Sequence, residues 1–448
     1  MPDNTVDTLI DARWIIPVEP ARQTLSRHSI AIADGVIRDI LPTEEAHVKY
    51  SARQHFRLDD HVLIPGLINL HTHAAMSLLR GLADDLPLMD WLNNHIWPAE
   101  AKFVSPEFVR DGTLLACAEM LRGGITCFND MYFFPEAAAQ TVLSTGMRAA
   151  IGIIVVDFPT AYAADADDYL SKGLAVRDEF HGEPLLTFTL APHAPYTVSD
   201  KTFAKVLTYA EQLDLPIHIH LHETHDEIEA SLKQYQMRPI ERLHRLGLLG
   251  PNLIAVHAVQ LNTDEIRLLA EHGCHVAHCP SSNLKLASGI SPVVEKLEQE
   301  INVGLGTDGA ASNNRLDMFA EMRLAALLAK GQSGHAAALP AHQALAMATI
   351  NAAKALGIDH LTGSLAIGKA ADITAVDLSA PETQPCYDVT SHLVYTAGRE
   401  NVSHVWVNGK LVLDERHLTT IDIHELNART SFWHEKISNQ KSFSEGQP

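Results

Sequence analysis

From Val62 onward the chain alternates short β-branched or apolar runs with longer amphipathic stretches, and no other feature restricts the fold as much. This is the texture of βα units, in which each parallel strand needs a crossover segment to bring the chain back to the same end of the sheet. Eight such runs are present: Leu63–His71, Ile125–Asp130, Arg148–Asp157, Leu185–His193, Pro216–His222, Leu253–Ala258, His275–Cys279 and Val303–Thr307. Ser105-Pro106-Glu107 and Ser291-Pro292 place a capping side chain before a proline suited to the first helical position, while Gly123-Gly124 and Gly273 supply helix stops. An open doubly wound sheet satisfies the same alternation. Eight units in succession favour an α/β fold of the (β/α)8 TIM-barrel type, whose chemistry sits at the carboxyl ends of the strands.

The two ends of the chain read differently. Thr8–Val18, Ser29–Ala33 and Val36–Leu41 have strand character, with an Asp34-Gly35 turn between the last two. After Leu361 the β-like texture returns in Ala371–Val376 and Val402–Val407, the latter followed by an Asn408-Gly409 turn into Lys410–Leu413. The expected organisation is therefore a small composite β-sandwich domain formed by residues 1–62 and 363–420, a barrel over 63–362, and a C-terminal segment over 421–448. In that last segment Ile421 to Ile437 reads as a surface helix and Ser438 to Pro448 as a frayed tail.

With 34 Lys and Arg against 55 Asp and Glu, the formal charge is −21, which repels phosphate backbones and anionic membrane surfaces. Neither nucleic acid nor a membrane is an expected partner. Met1-Pro2-Asp3-Asn4 lacks a cationic start leading into an apolar stretch, and no run of eighteen apolar residues occurs, so a cytoplasmic location is expected. The five cysteines are too few and too irregularly spaced for a disulfide framework, which fits a reducing compartment.

Histidine is abundant, at 26 of 448 residues, so chance alone yields about one or two H-x-H pairs and context must separate ligands from coincidence. His71 and His73 end the first barrel run, and side chains two apart on a strand share a face, so both rings can reach one cation. His218, His220 and His222 in the fifth run also share a face, and parity does not choose among them. Glu223 follows where the chain leaves the strand, the place for a general acid/base beside an activated water. His257 ends the sixth run and Asp308 follows the eighth, so all these groups open on one barrel face. The Cys274-His275-Val276-Ala277-His278-Cys279 run is read as a packed strand, since alternating side chains cannot all reach one ion. Met318 and Met322 are read as helix core.

At this point the chain resembles the amidohydrolase superfamily, and within it the deaminases acting on methylthioadenosine and S-adenosylhomocysteine, relatives of the triazine chlorohydrolases. The carriers are Pro65-Gly66-Leu67-Ile68-Asn69-Leu70-His71-Thr72-His73, Ala191-Pro192-His193-Ala194-Pro195-Tyr196, His220-Leu221-His222-Glu223, Val256-His257, the segment from Asn283 to Gly289 and that from Gly306 to Asn314. Gly363-Ser364-Leu365, followed by Ile367 to Asp372, matches the return to the small β domain. The resemblance implies one divalent metal ion, zinc with iron as the alternative, held by His71, His73, His220 and Asp308. It implies that Glu223 shuttles protons and protonates the purine ring, that His257 orients the attacking hydroxide, and that Asp308 belongs to the catalytic set. Glu100 matches the carboxylate that holds ribose hydroxyls, and His193 a histidine that contacts the purine.

The implied reaction is deamination of an adenine nucleoside at C6, chiefly 5'-methylthioadenosine to 5'-methylthioinosine and ammonia. S-adenosylhomocysteine and adenosine are the secondary substrates, and a guanine-type or triazine-type hydrolase is the alternative. The resemblance also implies a homo-oligomer, dimer or tetramer. No arginine occurs between Arg148 and Arg177, where some relatives bind the carboxylate of S-adenosylhomocysteine, so the uncharged thioether nucleoside is expected to be preferred. No lysine lies near the end of the fourth run at His193, which argues for one metal instead of two.

Overall fold

The computed structural model describes residues 4–444. Four strands open the chain: β1 (Thr5–Ile15), β2 (Leu25–Ala33), β3 (Val36–Pro42) and β4 (Ser51–Pro65). Eight follow with helices between them: β5 (Leu67–Thr72), β6 (Ile125–Tyr132), β7 (Arg148–Val155), β8 (Leu186–Pro192), β9 (Ile217–Leu221), β10 (Leu253–His257), β11 (His275–His278) and β12 (Asn302–Leu305). The chain then returns through β13 (Ile373–Asp377), β14 (Val402–Val407), β15 (Lys410–Asp414) and β16 (His417–Leu418).

Strands β5 to β12 lie side by side in sequence order and pair in parallel. Every residue of β5, β6, β7, β9 and β10 is buried, as expected of a parallel sheet covered on both faces. The expected barrel is thus the observed one. Between β12 and β5 the barrel closes through the Asn69 side chain and one backbone bond: Thr307 N donates to Asn69 Oδ1 at 2.9 Å, Asn69 Nδ2 donates to Thr307 Oγ1 at 2.7 Å, and Asp308 N donates to the His71 carbonyl at 2.9 Å.

The other eight strands form one mixed sheet in the order β16-β15-β14-β13-β4-β1-β2-β3. The sandwich expected from both chain ends takes the form of this single sheet wrapped over its own core of Ile10, Ile30, Ile32, Ile37, Leu63 and Trp406. The β2–β3 turn meets the segment that leads into β13 where Ala371 N donates to the Gly35 carbonyl at 2.8 Å.

Two expectations change. The run Leu63–His71 is not one strand: Leu63, Ile64 and Pro65 pair with β13 in the mixed sheet, and the barrel begins at Leu67. The break falls at Gly66, where a Cβ would lie 2.1 Å from Thr126 Oγ1, so only glycine lets the chain cross between the sheets. Both halves are buried, so hydropathy does not mark the crossing. Second, the C-terminal helix runs through Ser444 instead of fraying at Ser438; the remainder of the expected tail, residues 445–448, lies outside the described residues. This helix is anchored at Trp433, whose Nε1 donates to Asp111 Oδ2 at 2.9 Å on the helix Pro106–Arg122.

Barrel and sheet are tied by a buried ion pair. Arg148, the first residue of β7, donates from Nε to Asp372 Oδ2 at 2.9 Å, and both residues are at most 2% exposed. Breaking such a pair leaves an uncompensated charge in the interior, which costs about 3–5 kcal/mol. Asp372→Ala is expected to lower the urea midpoint of the protein by that amount of stability, and an unchanged midpoint would show that the pair does not tie the two units together.

Candidate active site

The carboxyl ends of β5, β9 and β12 converge on one point. The donor atoms of His71, His73, His220 and Asp308 all lie within 4.8 Å of one another. Asp308 Oδ1 is 3.2 Å from His71 Nε2 and 3.3 Å from His73 Nε2, and His220 Nε2 is 3.2 Å from His71 Nε2. Separations of 3.2–3.3 Å are those of ligands about 2.0 Å from a shared tetrahedral centre.

The ring orientations fit a cation as well. His73 Nδ1 donates to the Met131 carbonyl at 2.7 Å and His220 Nδ1 to the His193 carbonyl at 2.8 Å, so each ring turns its Nε2 inward. Burial disfavours a charged His73 ring, but the hydrogen bond and charge of Asp308 outweigh it and raise the ring to about 9, so a cation bound here would displace its proton. Burial holds His220 well below the ordinary imidazole range, in the neutral form that a metal needs. Burial opposes ionisation of Asp308, yet hydrogen bonds and charge from His71 and His73 outweigh it and hold the carboxyl well below the usual range. Its Oδ2 accepts from Ser282 Oγ at 2.6 Å and Ser312 Oγ at 2.9 Å, which aims Oδ1 at the cluster.

The structure makes the choice in β9 that parity leaves open. His220 joins the cluster, whereas His218 lies behind His71, with its Nε2 2.9 Å from His71 Nδ1. His222 adopts φ 56° and turns away, its Nδ1 donating to the Gln260 carbonyl at 3.0 Å while its Nε2 accepts from Ile240 N at 3.0 Å. His225 is exposed at a helix start.

Glu223 and His257 stand beside the cluster, with Glu223 Oε2 3.8 Å from His257 Nε2. Burial raises the Glu223 carboxyl above its ordinary value. Its backbone is fixed by Glu227, whose two carboxylate oxygens accept from His222 N at 3.0 Å and Glu223 N at 2.8 Å. His257 Nδ1 donates to Asn283 Oδ1 at 2.8 Å, which leaves Nε2 facing the site. His257 and Ala258 both have positive φ, 67° and 47°, a conformation costly for residues with a Cβ. Behind them the fully buried Lys296 donates from Nζ to the Ala258 carbonyl at 2.6 Å, and Ser291 Oγ donates to the same carbonyl at 3.0 Å.

A pocket opens above the cluster, lined by Met76, Trp91, Trp97, Phe133, Tyr196 and Leu286 among others, and among the described residues no lysine or arginine lines it. Glu100 and His193 both line it. Tyr132 OH donates to Glu100 Oε1 at 2.7 Å, and removal from water pushes the Glu100 carboxyl up to about 7. Desolvation pushes His193 down to about 3, which keeps its ring neutral.

His73, Glu100, His193, His220, Glu223, His257 and Asp308 thus line one pocket, and His71 completes the cluster at its floor. Sequence reasoning missed Asn283, Glu227, Tyr132 and Lys296 as supports. Of these only Asn283 left a trace, as the first residue of the segment Asn283 to Gly289. The Cys274–Cys279 run forms no metal-capable group among the described residues, in keeping with its reading as a packed strand.

A closed parallel barrel whose strand ends gather three imidazoles and a carboxylate beneath an acid and a fourth imidazole defines the class of metal-dependent barrel hydrolases. Residues 62–412 match the model of the amidohydrolase family, and the chain belongs to that family. It is 49% identical, over 98% of its length and 99% of the relative's, to a 5-methylthioadenosine/S-adenosylhomocysteine deaminase of Teredinibacter turnerae. A solved adenosine deaminase of Xanthomonas campestris with bound zinc superposes with a TM-score of 0.96 at 48% identity, covering 98% of this chain and all of the other. The atrazine chlorohydrolase of Arthrobacter aurescens shares the fold, with a TM-score of 0.88 at 24% identity over 95% of this chain and 99% of the other.

Burial pushes Lys296 down to about 7 from its ordinary 10.5. Between these values the unfolded chain holds more protons on this lysine than the folded chain does, so its contribution to stability rises with pH across that window. The stability of the unmodified protein relative to Lys296→Met is expected to increase from pH 7 to pH 9.5 in urea unfolding. A pH-independent difference would show that the lysine is charged in the folded state throughout.

Proposed function

We propose that this chain deaminates adenine nucleosides by hydrolysis at C6, with 5'-methylthioadenosine preferred and S-adenosylhomocysteine and adenosine as secondary substrates. The observation that carries this reading is the pairing of a complete cation site and Glu223 with a pocket that also holds Glu100 on Tyr132. His71, His73, His220 and Asp308 would hold one divalent cation, zinc with iron as the alternative. Such a cation lowers the pKa of a coordinated water from about 15.7 toward 7, so that a nucleophile is available near neutral pH.

The chain's own groups then act as follows. Glu223, its carboxyl raised by burial, takes a proton from the attacking water and delivers it to the ring nitrogen beside C6. His257, fixed by Asn283 with Nε2 toward the pocket, accepts the second hydrogen of that water and orients its oxygen. The C–N bond to the amino group breaks as a proton reaches it, so one water becomes the 6-oxo oxygen and the two hydrogens needed for the lactam and ammonia. Glu100 accepts hydrogen bonds from the ribose hydroxyls, and the neutral His193 ring meets the purine.

A bare guanine or triazine ring would give Glu100 no partner, which favours the nucleoside reading. Among the described residues no cationic side chain stands in the pocket wall to pair with the carboxylate of S-adenosylhomocysteine, which supports the preference for the thioether nucleoside. A homodimer or homotetramer in the cytoplasm is part of the same proposal. Support for the compartment comes from five cysteines that are all free, and among the described residues no helix is long and apolar enough to cross a membrane.

An ammonia-release assay over methylthioadenosine, S-adenosylhomocysteine, adenosine, guanine and cytosine tests the substrate class, and the highest kcat/KM is expected for methylthioadenosine. A higher value for S-adenosylhomocysteine would overturn the preference, and turnover of guanine alone would overturn the class. Glu223→Gln is expected to lower kcat by about 10²–10⁴ with metal content unchanged, the usual contribution of a positioned acid/base. Glu100→Ala is expected to raise KM for methylthioadenosine about 10- to 100-fold, as loss of charge-assisted hydrogen bonds worth about 1.5–3 kcal/mol requires.

A further inference from the structure

We propose that Asp11, His47 and His55 form a second site for a divalent transition cation of the zinc type, on the mixed sheet and separate from the barrel. The three residues come from β1, from the short helix Thr43–Lys49 and from β4, and their donor atoms lie within 4.8 Å of one another. His47 Nε2 is 2.8 Å and His55 Nε2 2.7 Å from the same oxygen, Asp11 Oδ2. The rings stand edge to face, with centroids 5.1 Å apart and an interplanar angle of 87°.

The surroundings are those of a ligand set. The other carboxylate oxygen, Asp11 Oδ1, accepts from Ser29 Oγ at 2.6 Å, and Ser29 Oγ is also 3.1 Å from Thr43 Oγ1. That contact fixes the carboxylate plane and turns Oδ2 toward both imidazoles, the arrangement by which neighbouring groups orient metal ligands. The Asp11 side chain is only 8% exposed, and among the described residues its ion-pair partners are these two histidines, with no lysine or arginine. A carboxylate so enclosed needs a positive partner, and two imidazoles sharing one oxygen can be replaced as donors by a cation between them.

The geometry asks little of the chain. Ligands about 2.0–2.1 Å from a tetrahedral ion are about 3.3 Å apart, so each N···O separation must open by roughly half an ångström. His47 and His55 are 41% and 30% exposed and have room to move, and their exposure leaves a fourth position open to water. Two imidazoles and a carboxylate suit zinc and its neighbours more than calcium or magnesium, which prefer all-oxygen sites. A bound ion would clamp the short helix onto β1 and β4, the half of the mixed sheet farthest along the chain from the returning strands.

The test counts metal rather than activity. Chelator-stripped protein is dialysed against micromolar zinc buffered by a weak chelator, and zinc per chain is measured by elemental analysis. Two equivalents are expected for the unmodified chain, and one for His47→Ala/His55→Ala with deamination retained. His55→Gln alone, expected also to lose one equivalent, serves if the double variant does not fold. A single equivalent in the unmodified chain, or an unchanged count in the folded variants, overturns the site and identifies the cluster as a hydrogen-bonded one only.

Discussion

The barrel's closing seam is the contact on which the rest of the site depends. Asn69 of β5 and Thr307 beyond β12 exchange two hydrogen bonds, and Asp308 N then donates to the His71 carbonyl. Residues nearly 240 positions apart are thereby brought into register, so the carboxylate of the last strand meets the imidazoles of the first. The seam leaves little room for side chains at its own glycines, least at Gly306, which faces backbone. A Cβ on Gly306 would lie 2.8 Å from His71 N, and one on Gly304 2.7 Å from Leu70 Cδ2. The Gly304-Leu305-Gly306 spacing is therefore a packing requirement of closure, and only through closure a requirement of chemistry.

Positive-φ residues occur at the turns of the site as they do at turns elsewhere in the chain. His222, His257, Ala258 and Asp308 all have positive φ without being glycine, in three short stretches that face the same barrel end. Neighbouring groups hold these turns: Glu227 accepts from His222 N and Glu223 N, Lys296 and Ser291 donate to the Ala258 carbonyl, and Ser282 and Ser312 donate to the Asp308 carboxylate. A strained residue persists only where its neighbours over-determine it, so these supports are the physical reason that the imidazoles and acid keep their aim.

The sequence made the strand ends legible because parallel strands buried on both faces are continuous apolar runs, and residues such as His71, His257 and Asp308 interrupt or terminate them. It did not make the selection within His218, His220 and His222 legible, since that depends on the His193 carbonyl of β8 and the position of the His71 ring, neither of which is local. Strand β4 was invisible over Ser51–His61 because most of its side chains face solvent and carry no apolar alternation. The crossing at Gly66 was hidden for the opposite reason, burial on both sides. Lys296 reads as a solvated helix residue until tertiary packing shows it enclosed. Local pattern reports burial, and it is silent on which buried groups face one another.

The electrostatics of the pocket follow from the same burial. Glu100, Glu223 and Asp308 bring three carboxyls into one cavity that, among the described residues, holds no lysine or arginine. Only Asp308 is held firmly ionised, by the imidazoles around it; Glu100 and Glu223 are both raised, so each sheds its charge more readily than in water. The wall facing the substrate thus presents little fixed charge beyond the cation cluster, and much aromatic and aliphatic surface in Trp91, Trp97, Phe133 and Met76. A neutral purine nucleoside with an apolar tail loses little by entering such a cavity. An anionic tail would surrender its hydration to a surface with no cation to replace it, and the residual negative charge of Glu100 would add to that cost. Selectivity on this view comes from what the walls lack as much as from what they hold.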